Sequence, residues 1–293
     1  MHFVNAKSIL SPHSMNIYRG CSHGCIYCDT RSKCYHFTHD FEDIEVKQNA
    51  PELLEEALRK KRKRCMIGTG SMCDPYIPAE RELKLTRRCL EIIERHNFGV
   101  ALITKSDLVL RDLDILQSIN RKTKAVVQMT LTTADDNLCR IIEPNVCPTS
   151  RRLEVLCAMR DAGIPTVVWL SPLLPFINDT KQNLDGIMEM CVSAKVHAIV
   201  CFGIGLTLRE GNREYFYASL EKAAQKDSRF AGMKERYQKT FGTSYMVPSP
   251  NDRYLMQYLS DLCKKNNIML GAESVFKWME EFPQDDPMQP ELF

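Results

Sequence analysis

The chain has 293 residues, 44% of them hydrophobic, and a formal net charge of +2 at pH 7. That length and apolar content suit one large domain or two small ones with real cores, and near-neutrality excludes a chain that holds polyanions by bulk charge. The 13 cysteines come with no signal-like segment in Met1–Ser14 and no stretch of transmembrane length. The expectation is therefore a reducing, cytoplasmic setting without a membrane, where thiols bind metals or pack rather than build a disulfide framework.

Residues 1–14 read as an irregular N-terminal segment, and Met15–Arg19 as a first strand that delivers the loop Cys21-Ser22-His23-Gly24-Cys25-Ile26-Tyr27-Cys28. Thiolates are soft ligands suited to zinc, copper(I) or iron–sulfur clusters, and Gly20 and Gly24 let three of them curl around one centre. Closed zinc sites and ordinary ferredoxin clusters take four protein ligands, so a triplet implies a centre with one open position. The competing reading is a zinc site completed by Cys34, His36 or His39, in a non-enzymatic or electron-transfer protein.

Beyond the loop, Pro51–Lys61 predicts a helix with acids early and bases late, as the helix dipole favours. Then strands Cys65–Gly70, Val100–Thr104, Ala125–Leu131, Thr166–Leu170 and Ala198–Phe202 alternate with helices Glu80–His96, Leu110–Ile119, Ser150–Asp161 and Lys181–Ala194. Such alternation implies right-handed parallel crossovers, hence an α/β fold, and six strands fit a partial (β/α)6 TIM-like barrel over residues 15–227. A C-terminal helical extension is expected over 228–280, with helices near Ser228–Phe241 and from Ser249 to Lys265, and a flexible tail over 281–293.

The pattern C-x3-C-x-aromatic-C, met by Cys21, Cys25, Tyr27 and Cys28, resembles that of radical S-adenosylmethionine (SAM) enzymes. The resemblance implies that the three cysteines hold a 4Fe-4S cluster whose fourth iron is chelated by SAM. It further implies reductive cleavage of SAM to a 5′-deoxyadenosyl radical that abstracts hydrogen from a substrate, with a donor such as flavodoxin or ferredoxin supplying the electron. Asp74-Pro75-Tyr76, Ile103-Thr104-Lys105-Ser106-Asp107, Ile142-Glu143-Pro144, Ala162-Gly163-Ile164-Pro165 and Ser171-Pro172 narrow the likeness to the spore photoproduct lyase-like branch, often labelled DNA repair photolyases. By that likeness Ser71, Lys105, Thr130, Thr132 and Ser171, all at strand exits, line the SAM pocket, and the substrate is related to nucleic acid. A peptide, tRNA or small-molecule substrate is the alternative.

Two departures bear on the chemistry. Asp29 stands where the lyase resembled has a second relay tyrosine, leaving Tyr27 alone, and Ser71 stands at the place of its hydrogen-donating cysteine. Cys73 lies two residues on, so in extended chain its side chain faces the same way and is a candidate hydrogen donor.

Two basic sets remain. Arg59–Arg64 precedes a strand, which puts it at the strand N-terminal end, away from the cysteines, as a solvated helix end or a remote nucleic-acid contact. Arg209, Arg213 and Tyr215 follow the sixth strand and mix charge with an aromatic ring, as a flipped base or other planar substrate requires; ion pairs to Glu210 or Glu214 are the alternative. The final five residues, Gln289–Phe293, resemble a Q-x-x-L-F peptide that docks on the DNA sliding clamp, against the alternative of an unstructured end.

Overall fold

The computed structural model describes residues 1–282. The main sheet follows the sequence strand by strand: Ser14–Met15, Met66–Thr69, Gly99–Thr104, Ala125–Thr130, Thr166–Trp169, Ala198–Val200 and Met269–Leu270 lie side by side in that order, all parallel. Leu10–Ser11 folds back antiparallel on Ser14–Met15 at one edge. Ala125–Thr130 is buried at every position, as a central parallel strand with both faces covered must be. The architecture is α/β, with the topology of a partial barrel whose first and last parallel strands are not paired with each other.

The sheet has two strands more than expected, the antiparallel edge Leu10–Ser11 and the parallel Met269–Leu270, each of two residues and too short to give a periodic signal. The predicted first strand divides in two. Ser14–Met15 pairs in the main sheet, and Tyr18–Arg19 crosses to a small sheet where Glu45–Lys47 lies between it and His2–Val4. The N-terminal segment is thus strand-bearing rather than irregular, and the cysteine loop starts from the small sheet.

Helix Ala50–Lys60 opens with Pro51 in its first turn and buries Leu54 and Leu58. The predicted helix 80–96 is broken at Lys84, which takes a left-handed conformation between Glu80–Leu83 and Leu85–Arg95. Its cause is Glu80. That buried carboxylate accepts from Tyr18 Oη and from the Thr86 N–H (3.1 Å), and pairs with Arg111 (2.7 Å), so the second helix is capped by the first.

Helix Ala272–Glu280 covers the end of the sheet where strands begin: Val275 and Met279 pack with Met66, Ala101, Val126, Val167, Ala198 and Val200. Lys124 Nζ fixes it by donating to Trp278 O and Glu281 O. At the opposite end, Asn212–Ala224, Met233–Phe241 and the ribbon Gly205–Thr207/Met246–Pro248 form a capping extension that starts before residue 228, whereas Asp252–Lys265 and Ala272–Glu280 pack on the main sheet. Phe216, Leu220, Tyr237 and Val247 of the extension share an apolar cluster with Cys25, Ile26 and Tyr27, so it is packed on the cysteine loop.

Candidate active site

Every functional candidate brought together lies where the parallel strands end, as βα folds arrange. Cys21, Cys25 and Cys28 line one cavity of about 100 Å³ with His23, Tyr27, Ser71, Cys73, Asp74, Lys105 and Thr130. Cys34, His36 and His39 are not among its walls. The cavity exists because two glycines permit close approach. Gly20 has φ +86° and a Cβ there would stand 2.4 Å from Phe41 O; Gly70 has φ +97° and a Cβ would stand 2.0 Å from Ile103 O. The Cys21 N–H donates to that same Phe41 carbonyl (3.1 Å), pinning the loop's entry.

Charge around the thiols is fixed by protein groups. Asp74 accepts from Thr104 Oγ1 (2.8 Å), Lys105 N–H (2.7 Å) and Tyr76 N–H (2.8 Å), and lies 3.5 Å from His23 Nδ1. Burial works against a charged His23, but Asp74 and Cys21 outweigh it and raise its pKa. Hydrogen bonds from Cys73 and His23 hold Cys21 well below the usual thiol range, whereas burial pushes Cys25 and Cys28 up.

Beneath the loop sits a second, buried network. Glu143 and Arg152 pair at 2.6 Å with both side chains fully buried. Tyr27 Oη donates to Glu143, and Arg152 Nη1 to Thr130 O (2.9 Å). The Lys105 ammonium stands 5.8 Å from the Tyr27 ring centre. Burial opposes its charge, but Cys25 and Glu143 prevail and hold its pKa above the ordinary lysine value.

A wider cavity of about 580 Å³ adjoins the first, and Tyr27, Cys28, Thr30, Ser71 and Lys105 wall both. Its other walls include Ser171, Trp169, Phe202, Met246 and Asp252. Phe202, 62% exposed, meets Trp169 ring to ring at 5.6 Å, and Trp169 Nε1 donates to Gln128 Oε1 (2.6 Å).

Residues 15–190 of the chain match the Radical SAM superfamily. The chain belongs to that superfamily. A radical SAM enzyme carries a 4Fe-4S cluster and SAM, so both are implied here. An uncharacterized protein of Mycobacterium tuberculosis is 26% identical over 275 residues, covering 90% of this chain and 77% of its own. An uncharacterized protein of Methanocaldococcus jannaschii is 30% identical over 187 residues, 61% of this chain and 69% of its own. Among solved structures, spore photoproduct lyase complexed with dinucleoside spore photoproduct matches with TM-score 0.64 at 12% identity, over 92% of this chain and 80% of that one. Streptococcus suis SuiB bound to precursor peptide SuiA matches with TM-score 0.54 at 12% identity, over 88% and 47%. At such identities the likeness is one of fold.

Against the radical SAM expectations, Cys21, Cys25, Cys28, Tyr27, Ser71, Lys105, Thr130 and Ser171 line the two cavities. Thr132 does not: it is buried beside them, its Oγ1 without a hydrogen-bond partner. Cys73 does not continue an extended strand. The strand ends at Thr69, Gly70 turns the chain, and the Cys73 thiol donates to Gly20 O (2.7 Å), away from the wider cavity.

Arg209, Arg213 and Tyr215 lie outside both linings. Arg209 Nη2 donates to Tyr245 Oη (2.8 Å) and its Nε stands 3.5 Å from Asp29, Arg213 caps Leu208 O and Thr243 O, and Tyr215 lies under the Arg31 guanidinium. Of the basic run, Arg59 and Lys60 turn back to Glu55 and Glu56. The pentapeptide Gln289–Phe293 lies outside the described residues.

Proposed function

We propose that this radical SAM enzyme binds its cluster through Cys21, Cys25 and Cys28, holds SAM with Ser71, Lys105, Thr130 and Ser171, and acts on a nucleic-acid-related substrate in the wider cavity. The observation that carries the proposal is the pair of adjoining cavities, one walled by the three thiols and the other opening to Trp169 and Phe202. The donor set suits the group: soft thiols take iron–sulfur clusters. Cys73 also reaches the small cavity, but it lies outside the C-x3-C-x-aromatic-C spacing and its thiol hydrogen-bonds within the protein, between Gly20 O and Cys21, which leaves three as the set.

When bound, the cluster with SAM supplies the reductive cleavage that makes a 5′-deoxyadenosyl radical, the hard chemistry of the reaction. The chain's own residues position and insulate. Lys105, kept charged by Glu143 and Cys25, offers an ammonium to a carboxylate at the junction of the cavities. Ser71 and Ser171 offer hydroxyls, and the buried Glu143–Arg152 pair holds Tyr27 and the strand end at Thr130 in place. Phe202 gives a planar substrate a face to stack on. Cys73 we assign to shaping the loop beside Cys21 rather than to hydrogen donation.

A second reading, a peptide substrate, is favoured by the charge at the wider cavity: Lys105 is the basic residue in its lining, while Arg209 and Arg213 are committed to protein partners.

The test is anaerobic. Protein reconstituted with iron and sulfide is reduced, given SAM and assayed for 5′-deoxyadenosine beside a Cys21/Cys25/Cys28 triple Ala variant. Iron binding and product from wild type alone are expected; equal product from the variant sinks the assignment. Deuterated oligonucleotides and peptides then separate the substrate readings by label transfer into 5′-deoxyadenosine.

A further inference from the structure

A second group of ligating side chains lies in the small N-terminal sheet, apart from the cysteines. Parallel pairing sets His2 opposite Glu45, and antiparallel pairing sets Arg19 opposite Glu45, so the three stand in a row across the sheet. The loop between Tyr35 and Ile44 brings His39 over that row, its ring edge-on to His2 at 4.8 Å between centres. A ring nitrogen of His2, a ring nitrogen of His39 and a carboxylate oxygen of Glu45 all lie within 4.8 Å of one another.

The hydrogen bonds around the two rings decide what those nitrogens offer. His39 Nδ1 faces Asp40 O at 2.9 Å, and a carbonyl can only accept, so Nδ1 carries the proton. In the neutral ring Nε2 then presents a lone pair. That atom is buried, has no hydrogen-bond partner, and stands 3.8 Å from Glu45 Oε2. His2 Nδ1 faces the Asp43 carboxylate at 3.0 Å, which likewise leaves Nε2 its lone pair.

With the rings neutral, the buried His39 Nε2 lone pair faces a Glu45 carboxylate oxygen with no proton between them, an arrangement that a bound cation stabilises. Carbonyl or carboxylate contacts at the far nitrogen are also how metal-ligating histidines are oriented. Two protein cations stand by the group, and each has other partners: the N-terminal ammonium is 2.5 Å from Asp43 Oδ1, and Arg19, whose Nη1 is 3.9 Å from Glu45 Oε2, gives its Nη2 to Tyr35 O (2.8 Å) and His36 O (3.0 Å), with its guanidinium over Phe37.

We propose that His2, His39 and Glu45 bind one divalent transition ion of the zinc class. Two imidazoles and one carboxylate suit zinc, which accepts three protein ligands and a water at about 2.0–2.2 Å from nitrogen and oxygen. The ligand atoms stand up to 4.8 Å apart, so binding draws them together, with half-exposed His2 and its Asp43 partner free to move as a unit. The site is structural in effect: it ties the first strand and the 36–44 loop to Tyr18–Arg19, the strand that leads into Cys21. Phe41, which receives the Cys21 N–H, belongs to the same loop.

The experiment uses the full chain with Cys21, Cys25 and Cys28 changed to Ala, titrated with Zn²⁺ by calorimetry and with Co²⁺ by visible absorption. One equivalent should bind, with a Co²⁺ spectrum of nitrogen and oxygen ligation lacking thiolate charge transfer. His39→Ala and Glu45→Gln should abolish it, Asp43→Asn should weaken it by about 10–100-fold, and His13→Ala should change nothing. Should the triple variant fold poorly by circular dichroism, metal analysis of cluster-loaded wild type against His39→Gln replaces it, expecting one zinc in wild type alone. Binding below one equivalent, ligation by sulfur, or affinity unchanged in His39→Ala overturns the proposal.

Discussion

The two adjoining cavities are built on opposite principles. Around the small one, each polar group answers another: Asp74 collects three hydrogen bonds, Glu143 meets Arg152, and Tyr27 and Lys105 close the ring of charge. The wide one shares Lys105 and Ser71 with it but adds an aromatic wall, with Phe202 mostly in solvent and Trp169 held at its indole N–H and between Phe202 and Phe276. Rigid, satisfied polar groups suit chemistry that must be held still, and an open apolar wall suits recognition. The first region should fail by unfolding, and the second by losing substrate.

The largest effect should come from Glu143→Ala, which strands the buried Arg152 and should cost about 3–5 kcal/mol in denaturant unfolding. Glu143 also carries a pH signature. Burial alone would raise its pKa, but Arg152 and Lys105 overcome it and hold the carboxyl below its ordinary value. Its stabilising contribution is therefore complete above the unfolded-state pKa of about 4.3 and lost as pH falls through the lower folded value. Glu143→Gln should lack that acid-side loss in a pH series; retention of the same slope would assign it elsewhere.

Next, Lys105→Met should weaken SAM binding about tenfold, or 1.4 kcal/mol, by calorimetry on the reconstituted protein. Unchanged affinity would move Lys105 from ligand contact to scaffold. Phe202→Ala should leave stability within about 0.5 kcal/mol and substrate-free SAM cleavage untouched, while weakening a stacked substrate by about 1–3 kcal/mol. A Phe202 variant that unfolds early would erase the contrast between the cavities. Smallest of all should be Arg209→Ala: with the guanidinium spent on Tyr245 and Asp29, substrate-dependent turnover should stay at the wild-type level.

Much of this is legible in the sequence. Five of the six predicted strands are continuous apolar runs, so their ends could be located, and Ser71, Lys105 and Ser171 followed from being at those ends. The cysteine spacing carried its own chemistry. Charge beside aromatics after a strand looks like recognition, yet Arg209 and Arg213 meet Tyr245, Asp29 and backbone carbonyls, and which groups satisfy an arginine is a tertiary matter. Alternation holds only while the strand continues, and Gly70 ends it, so spacing alone does not orient Cys73.

His23, Glu143 and Arg152 went unread, yet one of them left a trace. Arg152 shares a helical stripe with Thr149, Val155, Leu156 and Met159, all buried. An arginine in such a stripe demands a buried acid, and Glu143, in a motif already singled out, was at hand. The zinc alternative failed in an instructive way: His39 meets His2 and Glu45 instead of the cysteines, because register across the small sheet, invisible in spacing, decides its neighbours.

The consecutive strand order also sets a timetable. Each parallel strand can pair with the one made just before it, so the sheet can grow while the chain is still being synthesised from its N-terminus. Cys21, Cys25 and Cys28 emerge early, whereas Trp169, Phe202 and Met246, which wall the wider cavity, and Phe216 and Tyr237, which pack on the loop, come much later. Until those residues arrive the thiols face solvent. Between the synthesis of the cysteine loop and that of Tyr237, a nascent chain is thus open to iron–sulfur delivery and equally to oxidation.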